Sequence, residues 1–127
     1  MSDNAKSPDR SQEGSVFHTS DHFDEILNAL GDANRRRIIS LLQKNGPVSQ
    51  KEVAHQLVAW KYDSTSEAVS DKAVEKAEIA LHHNHLPKLE DANLIEYDRR
   101  SKTLLVRDLP ELAELCLDHC ESADLHA

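Results

Sequence analysis

The sequence contains few of the residues on which many catalytic and membrane-spanning folds depend. Its 127 residues include three glycines, one tryptophan, two tyrosines and two phenylalanines. Three glycines do not provide a glycine-rich phosphate loop, and no serine or cysteine lies in a recognisable nucleophile motif. No apolar run approaches the roughly 20 residues of a membrane-spanning helix, and the N-terminus lacks a signal-peptide stretch. The sequence therefore predicts a cytoplasmic protein that is not an enzyme, with no evident cofactor, metal or small-molecule ligand.

The scarcity of aromatic residues also indicates the kind of core. The length suits one domain, whose core must come from Leu, Ile, Val and Ala, and this composition favours helices over a large sheet. Cysteine is scarce too: Cys116 and Cys120 are the two in the chain and are separated by one helical turn. A disulfide between them would close a very short loop, so reduced thiols in a cytosolic protein are favoured.

The formal net charge of −8 is unfavourable for nucleic-acid binding, but its distribution is uneven. Residues 34–62 contain six basic side chains and one acidic, and residues 99–107 contain four basic and none acidic. Because binding to DNA depends on the local footprint rather than on the total, these blocks keep a DNA-binding function open. The acidic remainder resembles proteins of salt-loving archaea.

The order of the predicted elements is four helices, a hairpin and a last helix. Residues 1–19 are polar and predict a flexible tail. Apolar positions at helical spacing predict five helices, which begin near Ser20 or Asp21, Asp32, Ser49, Ser70 or Asp71, and Leu109-Pro110. Pro87 falls inside the fourth helix and predicts a kink, because it lacks an N–H group and crowds the carbonyl of His83.

Two short strands are predicted at Leu94–Asp98 and Thr103–Val106, joined by a polar turn. The turn contains Arg99, Arg100 and Lys102, where a wing that contacts phosphate needs its charge. We expect a mainly α fold with a small β-hairpin, a winged helix-turn-helix, over residues 20–109. Residues 110–127 are expected to form a C-terminal dimerisation helix and a short tail.

Two segments resemble a known family. The segment 30–39, LGDANRRRII, resembles the "LGDPTRLRIL" opening of arsenic-repressor-like winged helices. The segment 85–95, HLPKLEDANLI, resembles the "HLKVLREAGLI" stretch that closes their recognition helix. The His-x-His-Leu-Pro-Lys-Leu form of residues 83–89 is most similar to small haloarchaeal winged-helix proteins. The chain departs from the family in a break of about ten residues between the two helices of the motif, and in having Asn93 where glycine is usual.

The resemblance covers residues 22–107 and implies a transcription regulator that binds double-stranded DNA as a homodimer. The first and last helices would form the dimer seam. The DNA-binding residues it implies, together with the predicted wing, are Ser49, Gln50, Lys51, Lys72, Lys76, His82, His83, Lys88, Arg99, Arg100 and Lys102. The first three begin the third helix and would meet phosphate, and the next five would face the groove from the fourth helix.

Several of these features have a structural alternative. Arg35, Arg36 and Arg37 point about 100° apart on a helix, so a solvated face is favoured over a shared DNA contact. Trp60 and Tyr62 could stack on nucleic acid, but a core or dimer-interface position is favoured for Trp60. His85 is expected to be packed or hydrogen-bonded rather than a metal ligand.

Two functional alternatives stay open. Cys116, His119 and Cys120 lie on one helical turn and could make a metal- or redox-responsive repressor, although Leu112 and Leu115 on the same face favour buried thiols. The negative net charge, with Glu75 and Glu78 in the fourth helix, suits a winged-helix adaptor that binds protein instead of DNA.

Overall fold

The structure, a computed structural model, describes residues 23–64 and 68–125, with side chains as far as residue 121. The predicted tail 1–19 and the helix start at Ser20 or Asp21 lie outside these residues. The helices are α1 (residues 23–30), α2 (Ala33–Asn45), α3 (Gln50–Tyr62), α4 (Asp71–Ala80), α5 (Leu86–Asp91) and α6 (Glu111–Leu125). The strands are β1 (Val48–Ser49), β2 (Ile95–Asp98) and β3 (Thr103–Val106).

The fold is mainly α with a small antiparallel sheet, and the winged helix-turn-helix class is confirmed. The predicted hairpin of β2 and β3 is present, with Ile95 opposite Val106 and Asp98 opposite Thr103. The sheet has a third strand that the sequence did not predict, because β1 pairs with β3 to give the order β1-β3-β2. A strand of two residues is too short to show an alternating pattern.

The helix ends follow from local sequence. Asp32, Ser49 and Ser70 are the N-caps of α2, α3 and α4, and their side-chain oxygens each accept a backbone N–H bond of 2.8–3.1 Å from the following turn. Such caps satisfy N–H groups that have no partner within the helix. Gly46 ends α2 with a φ of 72°, and Asn93 follows α5 with a φ of 60°. The predicted helix starts at Asp32, Ser49 and Ser70 are confirmed.

The core lies where α2, α3, α5 and the sheet meet. Its largest fully buried side chains are Ile38, Ile39, Leu42, Val53, Leu81, Leu86, Leu89, Leu94 and Leu104. From α1, Ile26 and Leu30 join this core, whereas Phe23 and Leu27 remain 43% and 41% exposed. Among the helices of residues 23–64 and 68–125, none is long and apolar enough to cross a membrane.

The last helix packs by a different face from the predicted one. The sequence grouped Leu112, Leu115, Cys116 and His119, but the buried positions are Ala113 and Leu117. Leu112 and Cys116 are half-buried against the core, whereas Leu115 is 58% exposed and His119 is exposed. The face that packs on the core is therefore offset from the one that the periodicity indicated, because tertiary packing selects among neighbouring stripes.

The irregularity expected near Pro87 is a π-helical turn, Leu81–His85, which joins α4 to α5. The N–H of Leu86 donates to the carbonyl of Leu81, five residues back. Pro87 lies in the first turn of α5, where its missing N–H group costs little. The wider turn lets two consecutive residues, His85 and Leu86, both be buried.

Candidate nucleic-acid interface

The arginine run of α2 is attached to the preceding helix. Arg35 donates from Nε to the carbonyl of Ala29 at 2.6 Å and from Nη2 to that of Asn28 at 3.3 Å. Arg36 donates from Nη1 to the carbonyl of Leu30 at 2.9 Å. Carbonyls at a helix C-terminus lack intrahelical donors and carry partial negative charge. The expected solvated face is therefore wrong for Arg35, which is buried and structural.

Arg35 also contacts His85, the buried histidine of the π-helical turn. The Nη1 atom of Arg35 lies 3.3 Å from Nδ1 of His85. Burial lowers the pKa of His85; Asp32 opposes this shift and the Arg35 charge adds to it. A neutral imidazole with its proton on Nε2 can accept the arginine N–H at Nδ1. His85 is therefore hydrogen-bonded within the protein, as expected, and connects the π-helical turn to α2.

One face of α4 and the π-helical turn is open to solvent and largely basic. Lys72, Lys76, Ile79 and His83 follow one another at spacings of four, three and four residues and are all exposed. These four residues form the exposed stripe, opposite the buried Val74 and Leu81. Such spacing places side chains on one helical face. Three of the predicted groove-facing residues therefore share a surface.

The other two predicted residues of this region lie beside that stripe. His82 is exposed, and its ring meets that of His83 edge-on with centroids 5.1 Å apart. Lys88 is exposed on α5. The stripe also has acidic neighbours, because Glu75 is exposed and Glu78 is half-buried. The surface around the stripe is thus a mixture of signs.

The wing turn, residues 99–102, has a defined shape. Oδ1 of Asp98 accepts the N–H groups of Arg100 at 3.0 Å and Ser101 at 3.4 Å. Lys102 has a φ of 57°, the left-handed conformation that closes many four-residue hairpin loops. Arg100, Ser101 and Lys102 are exposed. The turn therefore projects two cations from the end of the hairpin.

The four basic side chains between residues 99 and 107 are not equally free to contact a phosphate. Nη2 of Arg99 lies 3.1 Å from a carboxylate oxygen of Glu90, and its guanidinium lies 5.1 Å from the ring centroid of Tyr97. Arg107 is paired with Glu96 at 3.2 Å. Within the described part of the chain, no ion pair is recorded for Arg100 or Lys102. These two are therefore the wing cations best placed to meet a phosphate, whereas Arg99 attaches the wing to α5.

The start of α3 lies next to the wing, but one of its predicted DNA contacts is internal. Gln50 is only 6% exposed, its Oε1 accepts from the hydroxyl of Tyr97, and its N–H donates to the carbonyl of Lys102 at 2.8 Å. Its side chain is thus engaged within the protein, which removes Gln50 from the candidate interface. Ser49 and Lys51 are exposed beside it, and Ser49 pairs with Thr103 across the sheet.

A groove of about 620 Å³ lies between α2, α3 and α4. Its basic lining residues are Arg37, Lys61, Lys72 and Lys76, and we call it the basic groove. The guanidinium of Arg37 lies 5.7 Å from the ring centroid of Trp60, which is half-buried against the core as expected. The sequence did not single out Lys61 or the groove, because its walls come from helices that are brought together by tertiary packing.

The C-terminal cysteines are free and half-buried. Within residues 23–64 and 68–121, no group of three or more His, Cys, Asp or Glu side chains is arranged to hold a metal ion. The arrangement of Cys116, His119 and Cys120 therefore gives the metal-responsive hypothesis no support.

Comparison with known proteins gives one match. The model of a family described as "Domain of unknown function (DUF7344)" matches residues 27–105, from α1 through β3. No curated protein and no solved structure matches the chain. The matched segment contains the helix-turn-helix, the exposed stripe and the wing.

Proposed function

The chain belongs to the family described as Domain of unknown function (DUF7344), and we propose that it binds double-stranded DNA as a sequence-specific transcription regulator. The observation that carries this proposal is the exposed stripe on the helix that follows α3 in a helix-turn-helix. In such motifs the second helix enters the major groove and the first crosses the backbone. Lys72, Lys76 and His83 present donors there, opposite a buried face.

The remaining contacts divide between bases and phosphates. Donors on the stripe can meet the acceptors of guanine or adenine in the major groove. Ser49 and Lys51 at the start of α3, with Arg100 and Lys102 of the wing turn, would contact phosphates and fix the register. The bond from the Gln50 N–H to the Lys102 carbonyl holds these two phosphate-contacting regions side by side. A relationship to arsenic-repressor-like regulators is part of this proposal.

The regulator is proposed to act as a homodimer in the cytoplasm. Phe23, Leu27 and Leu115 leave apolar surface exposed on the two helices that the sequence assigned to the seam. If these side chains form one contiguous patch, it favours a partner, and a second copy would duplicate the recognition helix for two half-sites. The acidic remainder of the sequence suits a salt-rich cytoplasm of the haloarchaeal kind.

Charge reversal tests the proposed interface. Arg100→Glu with Lys102→Glu should weaken binding to a mixed-sequence duplex by at least about tenfold at low salt, because two phosphate contacts are replaced by repulsion. Lys44→Glu is the control, since Lys44 is exposed in the last turn of α2 and is not one of the proposed DNA contacts. Fluorescence anisotropy with a labelled duplex measures both. An equal loss per reversed charge in the control and the wing variant would mean that total charge, and not the wing, governs binding.

A protein-binding adaptor is the second candidate, and Ile79 favours it. This side chain is 57% exposed in the middle of the stripe, where an apolar group suits a protein partner better than a row of phosphates, although it could also meet a thymine methyl group. The net charge of −8 points the same way. If folded protein binds no duplex at any salt concentration, the adaptor becomes the better account.

A further inference from the structure

We propose that the basic groove between α2, α3 and α4 binds a small organic anion with a flat apolar body. Charge provides the first reason. Arg37 and Lys61 stand on the α2 and α3 sides, and Lys72 and Lys76 stand on the α4 side. None of the described residues that line the groove is acidic, in a chain whose net charge is −8. Such a concentration of positive charge attracts an anion.

Two helix N-terminal turns also border the groove. Ser70, the N-cap of α4, and Asn34, in the first turn of α2, both line it. The first turn of a helix carries partial positive charge. At α2 this partial charge is already met by the capping carboxylate of Asp32, and α4 has Asp71 in its first turn. The four cationic side chains, and not the helix ends, therefore provide the positive charge of the groove.

The floor of the groove is apolar, which is the second reason. Leu57 and Val58 of α3 are buried beneath it, and Ala73, Ala77 and Ala80 of α4 form one small-residue wall. Alanine side chains leave room for a flat group to lie against the helix. A volume of about 620 Å³ falls within the range of ligand sites, which are mostly apolar with a few polar groups that fix orientation.

The shape favours a small molecule over nucleic acid in this groove. A duplex is convex and meets proteins mainly through phosphates, which do not fill a recess with an apolar floor. The side chain of Arg37 is already placed at the rim by its contact with Trp60. An aromatic carboxylate, sulfonate or phosphate would place its ring on the floor and its charge among the cations.

The groove shares two residues with the exposed stripe. Lys72 and Lys76 line the groove and are also proposed to face DNA, so an anion that neutralised them would weaken DNA binding, and DNA would weaken anion binding by the same factor. This coupling rests on the proposed function. Binding of the anion does not, because Arg37 and Lys61 lie outside the proposed DNA-contacting set.

The test uses anilinonaphthalene sulfonate as the probe and N-phenyl-naphthylamine as its uncharged analogue. We expect the full-length protein to bind the sulfonate saturably, one molecule per chain by fluorescence titration, and about tenfold more tightly than the analogue. Lys61→Glu, and separately Arg37→Gln, should weaken the sulfonate by about tenfold and leave the analogue unchanged. Lys44→Glu should change sulfonate binding by less than about twofold.

Three results would overturn the proposal: no saturable binding of the sulfonate, equal affinity for the two probes, or the same loss in Lys44→Glu as in Lys61→Glu. The titration contains no DNA, so these results are independent of whether the protein binds a duplex. Conversely, if the protein binds the sulfonate as expected but binds no duplex, the anion-site proposal stands and the proposed regulator function is contradicted.

Discussion

At the scale of single residues, neighbouring arginines on one helix have different roles. Arg35 and Arg36 donate to the last carbonyls of α1, while Arg37 lies over Trp60 at the rim of the basic groove. Asp32, just before them, caps α2. The segment 30–39 is thus a helix-to-helix joint, in which the Asp32 side chain satisfies the start of α2 and two arginines satisfy the end of α1.

Removing Arg35 should destabilise the fold. Arg35→Met keeps much of the side-chain volume but leaves buried carbonyls and His85 without their donor, so we expect the free energy of unfolding to fall by about 2–4 kcal/mol. Arg37→Met, two residues on and exposed, should cost less than about 1 kcal/mol. Urea unfolding followed by circular dichroism measures both. Equal small losses would show that the Arg35 contacts contribute little.

His85 predicts a specific pH dependence. Burial lowers its pKa below 6.5 in the folded protein, so as the pH falls the unfolded chain takes up this proton first. The free energy of unfolding should therefore be fully retained above about pH 6.5 and decrease below it. His85→Gln should lose less stability between pH 7.5 and about 5.5 than the parent does. His82→Gln, an exposed control, should lose as much stability over this pH range as the parent. A stability–pH profile of His85→Gln identical to that of the parent would contradict the prediction.

At the scale of elements, the π-helical turn determines which residues of the helical segment α4–α5 are buried. An unbroken α-helix from Leu81 would rotate Leu86 away from the core, since each residue turns by about 100°. The hydrogen bond from the N–H of Leu86 to the carbonyl of Leu81 spans five residues and adds one residue to this turn. The angle between successive side chains is therefore smaller, and His85 and Leu86 are buried together. The part of the exposed stripe on α4 and Lys88 on α5 therefore do not lie along one regular helical face.

A pair of truncations tests this phase shift. Leu86→Ala should lower the free energy of unfolding by about 2–5 kcal/mol, as expected for a fully buried leucine. Ile79→Ala, on the exposed stripe, should change it by less than about 0.5 kcal/mol. Chemical unfolding reports both values. A negligible cost at Leu86 would mean that the helix continues without the turn and presents Leu86 to solvent.

Elements with local signals were predictable from sequence, and those that depend on distant contacts were not. The cap residues Asp32, Ser49 and Ser70 and the hairpin with its basic turn each depend on a few adjacent residues. In contrast, β1 exists because Val48 meets Leu104, and Gln50 is buried because Tyr97 reaches it. The basic groove likewise requires three helices, and burial of Arg35 requires carbonyls of another helix.

At the scale of the whole molecule, exposed apolar side chains predict how two copies associate. Leu27→Ser combined with Leu115→Ser should convert a dimer into a monomer, because both residues leave apolar surface on the proposed seam. Leu105→Ser is the matched control, since Leu105 is 40% exposed on β3. Light scattering after size-exclusion chromatography gives the mass. A parent protein that is monomeric at all concentrations would remove the homodimer from the proposal.

The distribution of charge links the two binding proposals. Basic side chains line the groove, the exposed stripe and the wing turn, while the chain as a whole is acidic. The two surfaces share Lys72 and Lys76, which makes these lysines the point at which an anion could alter regulation. The wing and the start of α3 do not line the groove, so an anion bound there would leave the phosphate contacts proposed for them unchanged.

Selection from randomised duplex DNA, followed by sequencing, tests the central claim most directly. It should be done at low and at molar potassium chloride, because phosphate contacts weaken steeply with salt. We expect an enriched and roughly palindromic motif whose half-sites lie about 34 Å apart, one turn of the duplex. Folded protein that enriches no sequence at either salt concentration would contradict the proposed regulator and favour the protein-binding adaptor.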